Sequence, residues 1–277
     1  MDRYAVIGNP IAHSKSPQIH AAFARQTGQA LSYEAILGPM HGFADTVRAF
    51  AASGGRGMNV TVPFKLDAYD LADHLSERAQ AAGAVNTLSF RADGIHADNT
   101  DGCGLIRDLT RNLNCPLAGQ RVLLLGAGGA ARGVLHPLLA EGPAQVVVAN
   151  RTPARARELV ERFRPLCTHS ALDGGGFDAL AGQTFDVLIN ATAASLSDEA
   201  PPVPAAVYGA GALAYDMMYG AQPTAFLKAA AGAGAARGAD GLGMLVEQAA
   251  ESFFLWRGVR PATAEVLAAL RAGLRAG

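Results

Sequence analysis

Residues 57–65 read GMNVTVPFK, an order that sets a side chain able to carry a proton beside two that can hydrogen-bond. In a strand with one buried face, Val60 and Val62 share one side while Asn59 and Thr61 share the other, so an amide and a hydroxyl stand together. Pro63 ends the pairing. Lys65 opens the next segment just beyond the strand's carboxyl end, the edge at which open α/β sheets hold ligands. A single lysine is by default a solvated surface charge, but this one has polar company at a ligand-binding edge. A functional reading needs a carboxylate next to it, and ADNTDGCG at 97–104 offers Asp101. Capping a helix over 102–113 would also account for Asp101, and the sequence does not show that it meets Lys65.

Other polar groups could complete a binding site. The loop GNPIAHSKSP follows a short strand at 4–7 and carries Ser14 and Ser16 on either side of Lys15. Ser16 reads as the N-cap of a helix with Pro17 at its first position, Ile19, Ala22 and Phe23 as its stripe and Gly28 as its stop. The same two hydroxyls would suit a polyol or a carboxylate. Asn86 interrupts a strand over 84–90. Gln248 lies four residues after Met244 on the apolar face of a C-terminal helix, where a buried amide needs a partner and a ligand hydroxyl is one candidate. Tyr219 follows a strand over 213–217 and suits either packing or the lining of a cleft. Glu77 opens a helix over 76–82, where its charge favours the helix dipole.

The elements that would position a cofactor surround residues 120–155. A buried strand at 121–125 breaks into Gly126, Ala127, Gly128 and Gly129; Ala130 starts a helix stopped by Gly142 and Pro143; a second strand follows at 146–148. Glycines without Cβ atoms let a pyrophosphate approach backbone N–H groups at the positive end of that helix, although a tight turn in any α/β protein could use them. After the second strand, where an acidic residue commonly selects NAD, stand Asn150, Arg151, Thr152, Arg155 and Arg157, and Arg151 lies 25 residues past Gly126. Guanidinium groups there would meet a 2′-phosphate. Two charge-assisted contacts at roughly 1.5–3 kcal/mol each could give NADP a hundredfold preference after desolvation losses. A further strand at 185–189 ends in Asn190, Ala191 and Thr192, and the one at 213–217 ends in Met217 and Met218.

Composition sets the bounds. The chain has 277 residues, 50% hydrophobic and 17% charged, which suits two medium α/β domains. A net charge of −1 leaves no electrostatic footprint for nucleic acid or anionic membrane, so small polar ligands are the expected partners. Cys103, Cys115 and Cys167 form no CxxC pair, so neither a metal site nor a disulfide framework is indicated and a reducing, cytoplasmic location is expected. No apolar run approaches the ~18 residues of a membrane helix.

Taken in order, GNPIAHSKSP, NVTVPFK, GAVNTL, DNTDG, GAGGAAR, NRT, INAT, DMMY and DGLGMLVEQAA resemble the shikimate dehydrogenase family over nearly the whole chain. The resemblance implies reduction of 3-dehydroshikimate with NADPH in aromatic biosynthesis. It implies Lys65 and Asp101 as the catalytic pair, with Ser14, Ser16, Thr61, Asn86, Tyr219 and Gln248 on the substrate and Asn59 nearby. For the cofactor it implies Gly126 to Ala130, Asn150 to Arg155, Thr192, Met217, Gly241 and Glu77. In that chemistry Lys65 donates the proton an alkoxide needs after hydride arrives, worth roughly 10² to 10⁴ in rate, while Asp101 positions it. One departure is Ser195 in NATAASL, where the family often has glycine.

The expected fold is an N-terminal substrate domain over 1–100, completed by C-terminal helices from 241–277, and a Rossmann-type NADP domain over 101–240, with both ligands in a cleft. The chain is expected to work as a monomer or homodimer. The rival readings are a quinate/shikimate dehydrogenase of broader substrate and NAD use, against which Arg151 argues, and a non-catalytic NADPH or metabolite sensor, which would have little need of Lys65 with Asp101.

Overall fold

The computed structural model describes residues 1–192, 194 and 199–276. Ser195 and the loop around it lie outside the described residues. The chain divides into two compact units, Met1–Gly104 with Val246–Ala268, and Leu105–Leu245 with Ala269–Gly277.

The first unit begins β1 (Asp2–Gly8), α1 (Ser16–Thr27), β2 (Leu31–Leu37), α2 (Phe43–Ala52) and β3 (Gly55–Val60). It continues with α3 (Lys65–Leu71), β4 (His74–Leu75), α4 (Glu77–Ala82), β5 (Thr87–Arg91), β6 (Gly94–Asp98) and the start of α5 (Asp101–Arg107). Its sheet runs β2-β1-β3-β5-β6-β4. The β1, β2 and β3 pairings are parallel, β3–β5–β6 antiparallel, and the two-residue edge strand β4 is parallel to β6. Central β1 buries Ala5, Val6 and Ile7 in succession because helices cover both its faces, whereas edge strand β2 has no buried residue. Met58, Val60, Phe64, Val47 and Leu88 complete the core, each buried side chain worth roughly 1.5–3 kcal/mol in apolar transfer.

In the second unit a short π-helical turn at Asp108–Asn112 precedes β7 (Arg121–Leu125), α6 (Gly129–Ala140), β8 (Gln145–Ala149), α7 (Pro153–Phe163) and β9 (Ala171–Gly175). Then come β10 (Phe185–Asn190), β11 (Tyr208–Asp216), α8 (Ala225–Gly232) and β12 (Arg237–Asp240); of the last two helices, α9 (Leu242–Arg257) belongs to the first unit from Val246 on, and α10 (Ala264–Ala276) returns to the second at Ala269. Every pairing in the sheet β12-β11-β10-β7-β8-β9 is parallel. Counted from β7 this is the doubly wound dinucleotide order, and strand order reverses between β7 and β10, the point at which such sheets bind ligands. Among the described residues no helix is long and apolar enough to cross a membrane, and all three cysteines are free.

Several local expectations are corrected. β3 stops at Val60, so Val62 is not a second inward residue but 61% exposed. Lys15, not Ser16, occupies the N-cap of α1, and the Ser14 hydroxyl accepts from the Ser16 N–H at 3.3 Å. Ala24 joins Ile19 and Phe23 in the buried stripe while Ala22 is only half-buried. α9 is buried on more than a stripe: Val246, Glu247, Ala249, Ala250, Ser252 and Phe253 are all enclosed, while Leu245 and Gln248 are half-buried.

Candidate active site

Lys65 is the first residue of α3, and its Nζ donates to Asp101 Oδ2 at 2.6 Å. Asp101 is not the cap of its helix. It is the first residue of α5, its own N–H is taken by Asn99 Oδ1 at 3.1 Å, and its second oxygen accepts from Asn86 Nδ2 at 2.8 Å. With 30% of the lysine side chain and 13% of the aspartate exposed, the pair is reachable yet largely shielded, so its attraction is weakly screened.

Two structural devices fix Asp101. The first is the preceding loop: Asp98 accepts from Arg78 Nε at 3.0 Å and Nη2 at 2.7 Å and from Ser76 Oγ at 2.7 Å, while Asn99 Nδ2 donates to Ala84 O at 3.0 Å. Despite the burial that opposes it, the Arg78 charge is strengthened by this Asp98 fork. The second is a buried polar web. Asn86 sits just before β5, its Oδ1 accepting from the Thr100 N–H at 2.9 Å and its Nδ2 reaching Thr100 Oγ1 at 2.9 Å and Gln248 Oε1 at 3.3 Å. Asn59 Nδ2 reaches Ser252 Oγ at 3.0 Å and Thr87 Oγ1 at 3.1 Å, and its Oδ1 accepts from the Tyr33 hydroxyl at 2.7 Å. A web this fully paired holds its side chains in one arrangement.

The web thus joins Lys65, Asp101, Asn86, Gln248 and Asn59. Ser14 and Thr61 stand outside these bonds, in the segments that follow β1 and β3, while Ser16, the first residue of α1, lies against Tyr33. Thr61 N donates to Ile7 O at 3.0 Å and Asn9 N to Val62 O at 3.0 Å. Tyr219 belongs to the second unit, where burial, helped by the Asp240 charge, pushes its phenol up. Glu77 belongs to the first unit and occupies the first turn of α4, capped by the Ser76 hydroxyl on Ala79 N at 3.1 Å. Arg78, Asp98, Asn99 and Ser252 were not foreseen. The signal for the loop was its run of Asp, Asn and Thr, side chains that bond their own backbone in turns; Ser252 gave none.

In the second unit, Gly126 N donates to Ala149 O at 2.8 Å and Ala191 N to Leu125 O at 2.8 Å, so the turns after β7 and β10 lie side by side. Gly126 has φ +107°, and a Cβ there would stand 3.1 Å from Ala191 O and 3.2 Å from Thr192 Cγ2. Gly128, Gly129 and Ala130 are exposed, with open space where either glycine's side chain would be, and α6 begins there with its N–H groups forward. Asn190, fully buried, accepts from Thr192 N at 3.1 Å and Oγ1 at 2.7 Å and donates to Asp216 Oδ1 at 3.2 Å. Asp216 also takes Met218 N at 3.0 Å and Thr224 Oγ1 at 2.6 Å. These bonds place Thr192 and Met217 at adjoining strand ends. A Cβ on Gly241 would lie 2.1 Å from Met217 O, so only glycine fits against that strand end. Beyond β8, Asn150 Nδ2 donates to Thr152 O at 3.0 Å, while Arg151 and Arg155 are exposed and have no ion-pair partner among the described residues. An open glycine turn on a helix N-terminus and two uncommitted guanidiniums fit the pyrophosphate and 2′-phosphate of NADP.

Residues 6–88 match the shikimate dehydrogenase substrate binding domain, 108–197 the shikimate/quinate 5-dehydrogenase model and 241–271 the shikimate 5′-dehydrogenase C-terminal domain. A relative from Aromatoleum aromaticum, shikimate dehydrogenase (NADP(+)), is 65% identical over 100% of this chain and 99% of its own length. The chain belongs to the shikimate dehydrogenase family. Among solved structures of similar fold, the Ael1 enzyme from Pseudomonas putida gives a TM-score of 0.93 at 53% identity, covering 98% of each chain. The Thermus thermophilus shikimate 5-dehydrogenase, solved in complex with NADP(H) and shikimate, gives 0.85 at 34% identity, covering 99% of this chain and 100% of its own.

Proposed function

We propose that this chain catalyses the reversible NADPH-dependent reduction of 3-dehydroshikimate to shikimate in the chorismate and aromatic amino-acid pathway, in the cytoplasm, as a monomer or homodimer. The observation that carries the reading is the 2.6 Å contact between Lys65 and Asp101, set in a paired polar web. NADPH supplies the hydride. Lys65 Nζ gives a proton to the oxygen of the ketone being reduced and takes it back from the hydroxyl in the reverse direction. Asp101 keeps the ammonium in place and offers its carboxylate to a substrate hydroxyl. Ser14, Ser16, Thr61, Asn86 and Gln248 bind the substrate's carboxylate and hydroxyls, with Asn59 fixing Asn86 and Thr87 behind them. Gly126 to Ala130 receive the pyrophosphate, Thr192, Met217 and Gly241 adjoin that turn, and Arg151 and Arg155 receive the 2′-phosphate while Asn150 and Thr152 shape their loop.

The test is to mix purified protein with shikimate and NADP and follow reduced nicotinamide absorbance. Turnover with NADP on shikimate, and much slower turnover with NAD or on quinate, is the expected result. Comparable rates on quinate and with NAD would replace this reading by the broader quinate/shikimate dehydrogenase, and binding of both ligands without turnover would make the chain a sensor.

A further inference from the structure

At the edge of the first unit's sheet, two residues before Ser76 and two before Asp98 in the chain, metal-ligating side chains converge in a group of three. His74 and His96 are register partners across the parallel β4–β6 ladder, so both imidazoles leave the same face, with ring centroids 4.4 Å apart. Asp93 comes from the turn between β5 and β6. Its Oδ1 lies 3.0 Å from His96 Nε2 and its Oδ2 3.9 Å from His74 Nε2, and one donor atom from each of the three residues falls within 4.8 Å of the others.

The scaffold beneath them is fixed by backbone bonds. Asp73 N donates to Ile95 O at 3.0 Å, Asp73 Oδ2 accepts from Ile95 N at 2.8 Å, and Gly94 has φ +131° with a virtual Cβ only 2.6 Å from that carboxylate. The turn therefore carries a glycine because Asp73 occupies the space, and Asp93 is left aimed at the two histidines. Ligands about 2.0–2.2 Å from one tetrahedral ion stand roughly 3.3–3.6 Å apart, a spacing these atoms reach by small side-chain rotations.

We propose that His74, Asp93 and His96 form a surface site for a divalent borderline transition metal of the zinc type, which ties edge strand β4 to β6 and to the β5–β6 turn. Two imidazoles and one carboxylate match the nitrogen-and-oxygen preference of Zn²⁺ or Co²⁺, whereas Mg²⁺ and Ca²⁺ require oxygen-rich shells that this site lacks. The remaining positions on the ion go to water, since His74 and Asp93 are exposed.

The test is calorimetric titration of the full chain with Zn²⁺ and with Mg²⁺, and optical titration with Co²⁺, for the wild type and for His74→Ala, His96→Ala and Asp93→Asn. Expected are one Zn²⁺ per chain, no Mg²⁺ binding, Co²⁺ d–d absorption without thiolate charge transfer, and at least about tenfold weaker Zn²⁺ binding in every variant. Asp93→Asn keeps the turn's shape and tests the ligand without removing a strand residue. No Zn²⁺ uptake by the wild type, thiolate charge transfer in the Co²⁺ spectrum, or wild-type affinity in any one variant would overturn the proposal.

Discussion

Lys65→Ala removes the proposed proton donor while leaving the Asn86–Gln248 web in place, so kcat should fall by roughly 10² to 10⁴ with little change in KM. Steady-state kinetics checks this, and an unchanged kcat with a raised KM would reduce Lys65 to a binding residue. Arg151→Ala should lower the preference for NADP over NAD by about tenfold, since one charge-assisted contact to the 2′-phosphate is lost and nothing acidic replaces it. Equal kcat/KM ratios in wild type and variant would remove Arg151 from the cofactor site. His20 titrates for a different reason. It is fully buried and stacked on Tyr33 at 4.2 Å, and burial, only partly offset by the nearby Asn59 side chain, pushes its pKa down to about 3 from 6.5. A histidine whose folded pKa lies below its unfolded one contributes stability that is complete above pH 6.5 and lost as pH falls toward 3, by up to about 1.4 kcal/mol per pH unit. Urea midpoints at pH 7 and pH 5 should therefore separate more for the wild type than for His20→Phe, and equal separations would count against the buried neutral imidazole.

At the scale of elements, α9 matters through one hydroxyl. Ser252 Oγ donates to Gln248 O at 3.1 Å and meets the buried Asn59 Nδ2 at 3.0 Å and Thr87 Oγ1 at 2.8 Å. Ser252→Ala deletes the hydroxyl without adding bulk and leaves its polar neighbours short of one partner, so it should destabilise the chain by about 1–3 kcal/mol in denaturant and lower kcat/KM for shikimate without changing NADP affinity. Unchanged stability would mean the web repairs itself. In the second unit, β7 and β10 end side by side, and Gly126 is the residue that lets the two turns coexist. The glycine motif implied the backbone freedom that its positive φ needs, but not the neighbour, Ala191 O, that a Cβ there would meet at 3.1 Å.

Among the described residues, one buried cluster gathers around Ile7, Met58 and Leu88 in the first unit and another around Leu123, Leu188 and Ala214 in the second. Hydrogen exchange should reflect that division: NADP should protect amides at 126–130 and 150–155, and shikimate those at 59–65 and 86–101. Protection by NADP confined to the first unit would reverse the assignment. By itself the sequence determined that the chain alternates strands and helices, that a glycine turn opens a dinucleotide helix, and that arginines stand where NAD enzymes keep an acid. Those properties are local, being periodicity, backbone permissiveness and side-chain chemistry within a few residues. Only the tertiary structure decided that Asp101 serves Lys65 instead of capping its own helix, that Val62 faces out, and that strand order reverses beside Gly126. It also decided that Ser252 and Arg78 hold the loop and web around Asp101, and that His74 and His96 share a face. Each of these depends on pairing between segments far apart in the chain, and pairing is set by which surfaces bury together, a property no single segment contains.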